Sequence, residues 1–249
     1  GNVMLNHAAS EFDSINSIDV GFSWNSNIKK FVVPFSMPSI VDEFTAPATN
    51  VKNGHFTKIE PMSSLTEGKD KFVGEEELLF VRHPETYTFY KYYKQKGVKN
   101  VRFFAGFPPH SFSRIDSLIE LGLTSYDEIN FKGVKIAPME FVNEVLKNLP
   151  IPEGYKEKED LWVTLIGKKT GKQKKVAMKC IVPTLKGWES AGCNIDTGMT
   201  ISIMAQMIKN DVIKERGSFA PEAIIPPEPF FKELAKRKMI VYKNGKKIN

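Results

Sequence analysis

Three segments of the sequence carry side chains whose types and spacing could bind a ligand. In the first, Trp188–Met199, a glycine-punctuated loop leads into an apolar helix, and Asp196 or Thr197 can cap the first helical turn. Free backbone N–H groups at Asp196, Thr197 and Gly198, together with the helix dipole, would attract an anion such as a carboxylate. The alternative is an ordinary capped helix, because every helix start presents such groups.

The second segment places basic side chains around a strand–turn–helix unit. Arg102 lies on an expected strand, His110 follows a proline turn, and Arg114 lies on the next helix. We expect Arg102 and Arg114 to bind an acidic ligand, since arginine offers a bidentate fork to carboxylates. The alternative is a surface arginine beside a loop histidine. The run Arg82-His83-Pro84 shows a similar pattern with a weaker case.

The third segment is an aromatic cluster on one short expected helix. Its members are Tyr87, Phe89, Tyr90, Tyr92 and Tyr93. Aromatic residues at helical spacing usually form a buried face, and tyrosine is common at subunit interfaces. Packing is therefore favoured over a stacking platform for a ligand.

Several catalytic and binding motifs are absent from the sequence. It has no Gly-x-Gly-x-x-Gly, no phosphate loop and no Gly-x-Ser-x-Gly elbow, and its four histidines lack metal-ligand spacing. Cys180 and Cys193 form neither a zinc motif nor a disulfide framework, which favours a reducing, cytoplasmic setting. No apolar run is long enough to span a membrane, and residues 1–4 lack the layout of a signal peptide.

The net charge of +6 comes partly from grouped lysines. Five lysines fall within residues 168–175, and others lie near the C-terminus, between residues 236 and 247. We interpret these groups as a solvated turn and a solvated tail. A nucleic-acid patch is the alternative, but no aromatic residues interleave with these lysines as base-stacking platforms would require.

Periodicity and turn residues predict a mixture of helices and strands. Helices are expected near residues 2–12, 84–95, 111–121, 138–149, 200–209 and 230–237. Strands are expected near residues 18–24, 98–107, 161–166 and 176–182, with a hairpin at Asn53-Gly54 and a last strand from Val241 that turns at Asn244-Gly245. Residues 31–49 are expected to be irregular with at most short helical turns, residues 61–76 to form a loop, and residues 217–229 to be extended. Helices and strands do not alternate regularly, which predicts an α+β fold with a mixed, largely antiparallel sheet and helices mainly on one face.

Six short stretches, taken in order, resemble one family of enzymes. They are Asp42–Ala48, Ile59–Met62, Leu118–Leu123, Asp196–Met199, Gly217–Glu222 and Pro226–Leu234. Their order resembles the C-terminal catalytic domain of the saccharopine dehydrogenase family, which includes saccharopine reductases, lysine 6-dehydrogenases and carboxynorspermidine dehydrogenases. The resemblance covers nearly all of residues 1–249 and implies a fold similar to the C-terminal domain of glyceraldehyde-3-phosphate dehydrogenase.

The resemblance implies a two-part, NAD- or NADP-dependent oxidoreductase of lysine metabolism that acts on the CH–NH group of an amino acid. Such an enzyme has an N-terminal Rossmann domain for the nucleotide and a second domain for substrate binding and dimerisation. This chain matches the second domain alone. We therefore expect no cofactor bound to it and no activity on its own. We also expect residues 195–249 to pack against the Rossmann domain, and the chain to form a homodimer.

One departure from the family pattern bears on the substrate. Saccharopine-acting relatives carry an Arg-Tyr-Pro-Gly-His-like turn where this chain reads Phe107-Pro108-Pro109-His110. The missing arginine makes saccharopine itself a less expected substrate and leaves a lysine-like or another amino acid open. His110 is the expected acid–base residue, because an imidazole titrates near neutrality. A non-catalytic dimerising module and a basic nucleic-acid binder are the alternative functions.

Overall fold

The fold was analysed in a computed structural model that describes residues 1–63 and 78–249. The loop expected over residues 61–76 lies, from residue 64 onward, outside the described residues. Within the described ranges no helix is both long enough and apolar enough to cross a membrane.

One large sheet forms the centre of the described structure. Its strands are β1 (Ser14–Ser26), β2 (Ala48–Lys52), β3 (His55–Ile59), β4 (Leu78–Phe80), β5 (Asn100–Gly106), β8 (Glu157–Lys169), β9 (Lys172–Pro183), β10 (Ile240–Lys243) and β11 (Lys246–Lys247). They run in the order β11-β10-β9-β8-β1-β5-β2-β3, and β4 also pairs with β5. β1 and β5 are parallel, whereas the other recorded pairings are antiparallel. The predicted mixed, largely antiparallel sheet is confirmed.

Helices cover one face of this sheet. They are α1 (Asn2–Ala9), α2 (Met37–Thr45), α3 (Glu85–Tyr93), α4 (Pro109–Glu120), α5 (Pro138–Lys147), α6 (Ile195–Lys209), α7 (Pro221–Ile224) and α8 (Pro227–Lys236). α1 contacts β8 and β9, α3 contacts β5, and α8 contacts β10. Side chains on alternate positions of the strands, such as Ile18, Val163 and Met178, point into the core beneath these helices.

The hairpins follow the turn chemistry of the sequence. Asn53 and Gly54 both adopt positive φ, as the two-residue turn between β2 and β3 requires. The hairpin expected around the lysine-rich turn is longer than predicted and pairs Lys158 with Pro183 through to Lys169 with Lys172. Lys169 contacts Asp13 and Lys174 contacts Glu11, so two of its five lysines are paired with carboxylates.

The aromatic cluster on α3 packs against neighbouring elements. Tyr87 stacks on Phe56 of β3, and the Tyr90 hydroxyl donates to the Gly54 carbonyl. Phe89 is fully buried in the core. The packing interpretation of these aromatic residues is confirmed.

Two expectations were wrong in detail, and one hairpin was not expected at all. Residues 37–45 form the helix α2 inside a segment expected to be irregular, because Pro38 lies in the first turn, where a missing N–H costs no hydrogen bond. The short helix α7 begins at Pro221 for the same reason, inside a segment expected to be extended. A hairpin of β6 (Ile129–Phe131) and β7 (Val134–Ile136) was not anticipated, although Lys132 and Gly133 supply its positive-φ turn.

Candidate functional site

The candidate site is a cavity of about 660 Å³ between the helix-covered face of the sheet and the surrounding helices. Its lining comes from α1, β1, α2, β5, β8, β9, α6 and α8, and from the start of α3. Elements from most of the chain therefore meet at one place. The lining includes five carboxylates: Glu43, Glu85, Glu157, Glu159 and Asp196. No lysine or arginine lines this cavity in the part of the chain that the structure describes.

A histidine–glutamate pair lies on one side of the cavity. Nδ1 of His83, which follows β4, makes a short contact with Oε2 of Glu85 at the start of α3. A carboxylate only accepts hydrogen bonds, so this contact makes Nδ1 the protonated ring nitrogen. The imidazole also stacks on Phe103, with ring centroids 3.8 Å apart. Burial raises the pKa of Glu85, but the hydrogen bond and charge of His83 outweigh burial and hold that pKa below its ordinary value.

Glu43 of α2 is the second titratable group on this side of the cavity. Burial raises its pKa to about 7, against a smaller opposing effect from the charge of His83. Its Oε2 atom is buried and has no hydrogen-bond partner among the described residues. A carboxyl group in this state can exchange a proton near neutral pH.

Glu157 of β8 has a structural role in the lining. Its side chain accepts hydrogen bonds from the Tyr155 hydroxyl at 2.8 Å and from the Cys193 N–H at 2.8 Å. The carboxylate lies so close to Gly192 that a Cβ there would be 2.1 Å from Oε2. Gly192 also has a φ of +53°, a conformation that favours glycine. Glycine is therefore needed where the chain turns into α6.

Glu159 and Asp196 line another part of the cavity. Burial raises the pKa of each, and the charge of Asp196 raises that of Glu159 further. The pKa values of the Cys180 and Cys193 thiols are affected by burial and by the charges in the same region. Burial raises the pKa of Cys180 to about 12, and burial followed by the charges of Glu159 and Glu157 raises that of Cys193. This region of the cavity is weakly solvated, and the charge of the Gly1 amino group, which also lines it, lowers the pKa values of Glu159, Asp196 and Cys180 against the effect of burial.

Trp24 of β1 contributes an unusual donor. The residue is 3% exposed and lines the cavity. Its indole N–H has no hydrogen-bond partner among the described residues. A buried donor left without a partner costs about 1–3 kcal/mol, so a ligand acceptor that reached it would recover a hydrogen bond.

The structure places Asp196, Thr197 and Gly198 in the cavity lining, as the sequence suggested. Their local geometry differs from the expectation. Helix α6 begins at Ile195 rather than near residue 200, its N-cap is Asn194, and no side chain caps it. Capping of the first turn by Asp196 or Thr197 was therefore wrong. Instead, the Asp196 carboxylate accepts the N–H of Thr197 and occupies the place that an incoming anion would take.

The structure places the other predicted site residues away from the cavity lining. Arg102 points from the opposite face of the sheet, where its guanidinium donates to both oxygens of Asp19 at 2.7 and 2.6 Å. Arg114 donates to the carbonyl of His110. The imidazole Nε2 of His110 lies 3.2 Å from the Ser26 hydroxyl, and burial followed by the charge of Arg114 lowers the pKa of His110. The structure does not bring these three residues together with Asp196.

Sequence reasoning did not identify most of the lining. The polar residues missed include Trp24, Glu43, Glu85 and Glu159, while His83 was noted only within the run Arg82-His83-Pro84. Only the run His83-Pro84-Glu85 carried a local signal, because a histidine followed two positions later by a carboxylate can form a short-range pair. The other groups lie on strands and helices separated by many residues and meet only in the fold.

Comparisons with known proteins agree with this architecture. The family model described as "Saccharopine dehydrogenase C-terminal domain" matches residues 4–240. A carboxyaminopropylagmatine dehydrogenase from Synechocystis sp. is 22% identical over 228 residues, which cover 90% of this chain and 56% of that protein. The chain thus spans little more than half the length of that relative.

A solved structure shows the same fold at low sequence identity. It is the apo, histidine-tagged saccharopine dehydrogenase (L-Glu forming) from Saccharomyces cerevisiae, with a TM-score of 0.70 and 10% identity over 100% of this chain and 71% of that one. Both named relatives are dehydrogenases. The match of the family model over most of the chain shows that this chain belongs to the saccharopine dehydrogenase C-terminal domain family.

Proposed function

We propose that this chain is the substrate-binding domain of an NAD- or NADP-dependent dehydrogenase that acts on the CH–NH group of a lysine-like amino acid. The family membership supports the reaction class. The carboxylate lining of the cavity is the observation that carries the choice of substrate.

The charges in the cavity favour a ligand with cationic groups. Of the five lining carboxylates, Asp196 is close enough for its charge to raise the pKa of Glu159, and an ammonium group bound beside them would oppose that effect. Trp24 lines the cavity and its indole N–H has no hydrogen-bond partner among the described residues, which supports it as the donor to the single carboxylate of an amino acid. Saccharopine carries three carboxylates and suits this lining less well than a ligand with one carboxylate and additional amines.

The nucleotide is a poor fit to the cavity of this chain. A pyrophosphate needs backbone N–H groups or basic side chains, and the cavity offers carboxylates instead. We propose that a Rossmann domain outside residues 1–249 binds NAD or NADP and that this chain alone has no dehydrogenase activity. The exposed Ile201 and Ile208 on α6 support packing of residues 195–249 against that domain.

We further propose that the protein forms a homodimer in the cytoplasm. The sheet face opposite the helices carries Ile166, which is 38% exposed, and the partly exposed Ala177 and Ile181. Such a face can pair with a second copy of itself around a two-fold axis.

The free thiols of Cys180 and Cys193 support a reducing compartment.

Turnover by the full-length gene product tests the proposal. The panel should contain lysine, saccharopine and carboxyaminopropylagmatine, each with NAD and with NADP, and reduced nicotinamide should be followed at its absorption band. We expect turnover with a ligand that has one carboxylate and further amines. Complete inactivity on the panel would instead favour a non-catalytic dimerising module, and preference for saccharopine would contradict the argument from the cavity charges.

A further inference from the structure

We infer that His83 is the catalytic residue that takes the proton from the substrate's reacting nitrogen, and that Glu85 is its positioning residue. This inference rests on the proposed function and identifies the acid–base group of the same cavity. It replaces His110, which does not line the cavity.

The imidazole of His83 is fixed in position and in tautomer. Its Nδ1 contacts Glu85 and its ring stacks on Phe103, with an interplanar angle of 7°. Two independent contacts thus hold the ring, one at its edge and one at its face. Nδ1–H donates to the carboxylate, so Nε2 is the nitrogen that carries the lone pair in the neutral ring.

Nε2 is available to a ligand. It has no hydrogen-bond partner among the described residues, and the His83 side chain is 28% exposed and lines the cavity. A histidine whose second nitrogen is held by a carboxylate is a common arrangement for a general base, because the carboxylate orients the ring and stabilises the imidazolium. Glu43 lies close enough for the charge of His83 to affect its proton affinity, so the proton has a second acceptor nearby.

The step is a proton transfer. The substrate's reacting ammonium group in the cavity loses one proton, Nε2 of His83 gains that proton, and the substrate nitrogen keeps the electron pair of the broken N–H bond. The products are a neutral amine and an imidazolium that remains paired with Glu85. In the reverse direction the same imidazolium returns the proton to the nitrogen.

The kinetic test uses the full-length gene product with the panel substrate that it turns over. We expect His83→Asn to lower kcat by about 10²–10⁴-fold, the usual contribution of general acid–base catalysis, with a much smaller change in KM. Glu85→Gln should give a smaller loss of kcat. The matched control is His55→Asn, because His55 is exposed on β3 and does not line the cavity.

Nitrogen-15 NMR of the histidine side chains gives a readout that does not depend on turnover. His83→Asn assigns the resonances, which in the wild-type chain should show protonated Nδ1 and unprotonated Nε2. Lysine, used as the amine probe, should shift Nε2 of His83 more than that of His55. Glu85→Gln should reduce the preference for this tautomer.

Three results would overturn the inference. The first is a kcat of His83→Asn equal to that of the wild type. The second is a loss of kcat that occurs in His110→Asn but not in His83→Asn. The third is an Nε2 resonance of His83 that lysine does not move. An inactive wild-type protein whose Nε2 resonance nevertheless responds to lysine counts against the proposed reaction, while the placement of His83 beside a bound amine stands.

Discussion

Substitution of Gly192 by alanine tests how the lining of the cavity is built. A Cβ at this position would lie 2.1 Å from Oε2 of Glu157 and 2.8 Å from its Cδ, in a backbone conformation with φ of +53°. Relief of this clash requires Glu157 to move away from the Cys193 N–H that it accepts at 2.8 Å. The substitution should therefore break a buried, charge-assisted hydrogen bond as well as strain the backbone.

The two costs can be separated within the same loop. Gly187 has a φ of +82°, and a Cβ there would meet nothing within 4 Å. Gly187→Ala should thus cost only the conformational strain, roughly 1–2 kcal/mol. Gly192→Ala adds a lost hydrogen bond to a charged group and should lower the free energy of unfolding by about 3–5 kcal/mol.

Urea denaturation followed by tryptophan fluorescence measures both variants. The double variant Gly192→Ala/Glu157→Ala completes a thermodynamic cycle, in which Gly192→Ala should cost less once the Glu157 side chain is absent. Equal destabilisation by Gly192→Ala and Gly187→Ala would refute the reasoning. A cost of Gly192→Ala that is independent of Glu157 would refute it as well.

Three further changes probe the cavity and the dimer. The pKa of Glu43 is raised from 4.5 to about 7, so between these pH values the folded state holds a proton that the unfolded state has lost. The stability that Glu43 contributes is therefore present below pH 4.5 and is lost as the pH rises through 7. The urea midpoints at pH 5 and pH 8 should differ less in Glu43→Gln than in the wild type. Trp24→Phe removes the unpartnered N–H together with the pyrrole part of a buried indole, so calorimetry should show a lower unfolding temperature because a cavity is left. Lysine binding, measured on the folded variant, should weaken by roughly ten- to hundredfold because the donor to the carboxylate is lost. Ile166→Lys should shift the chain from dimer to monomer in analytical ultracentrifugation, whereas the control variant Ile201→Lys on α6 should remain a dimer. A wild-type chain that is monomeric would contradict the proposed interface.

Local signals predicted most of the elements. The Asn53-Gly54 turn, the hairpin around the lysine-rich turn and the helix from Pro138 all follow from residues close together in sequence. The α6 boundary was missed because the apolar pattern becomes clear only after Gly198, while the helix begins at Ile195. Prolines favour irregular structure in residues 31–49 and 217–229, but Pro38 and Pro221 each lie in a first helical turn, where proline is tolerated.

The site was less predictable than the elements. Asp196 was identified because it lies at the start of an apolar helix, but the sequence could not show that Glu159 of β8 lines the cavity with it. Arg102 looked like a ligand-binding residue until the parallel pairing of β1 and β5 placed Asp19 directly beside it. Such pairings depend on strand order and register, which single-sequence patterns do not specify.

The charge preference of the cavity is the central claim, and a matched pair of ligands tests it most directly. Lysine and norleucine share the α-amino and carboxylate groups and differ by one side-chain ammonium. NMR titration of this chain should show tighter binding of lysine by at least roughly tenfold, or about 1.4 kcal/mol, with the shifts centred on Glu159, Asp196 and His83. Equal affinity for the two ligands, or shifts centred on Arg102 and Arg114, would contradict the account.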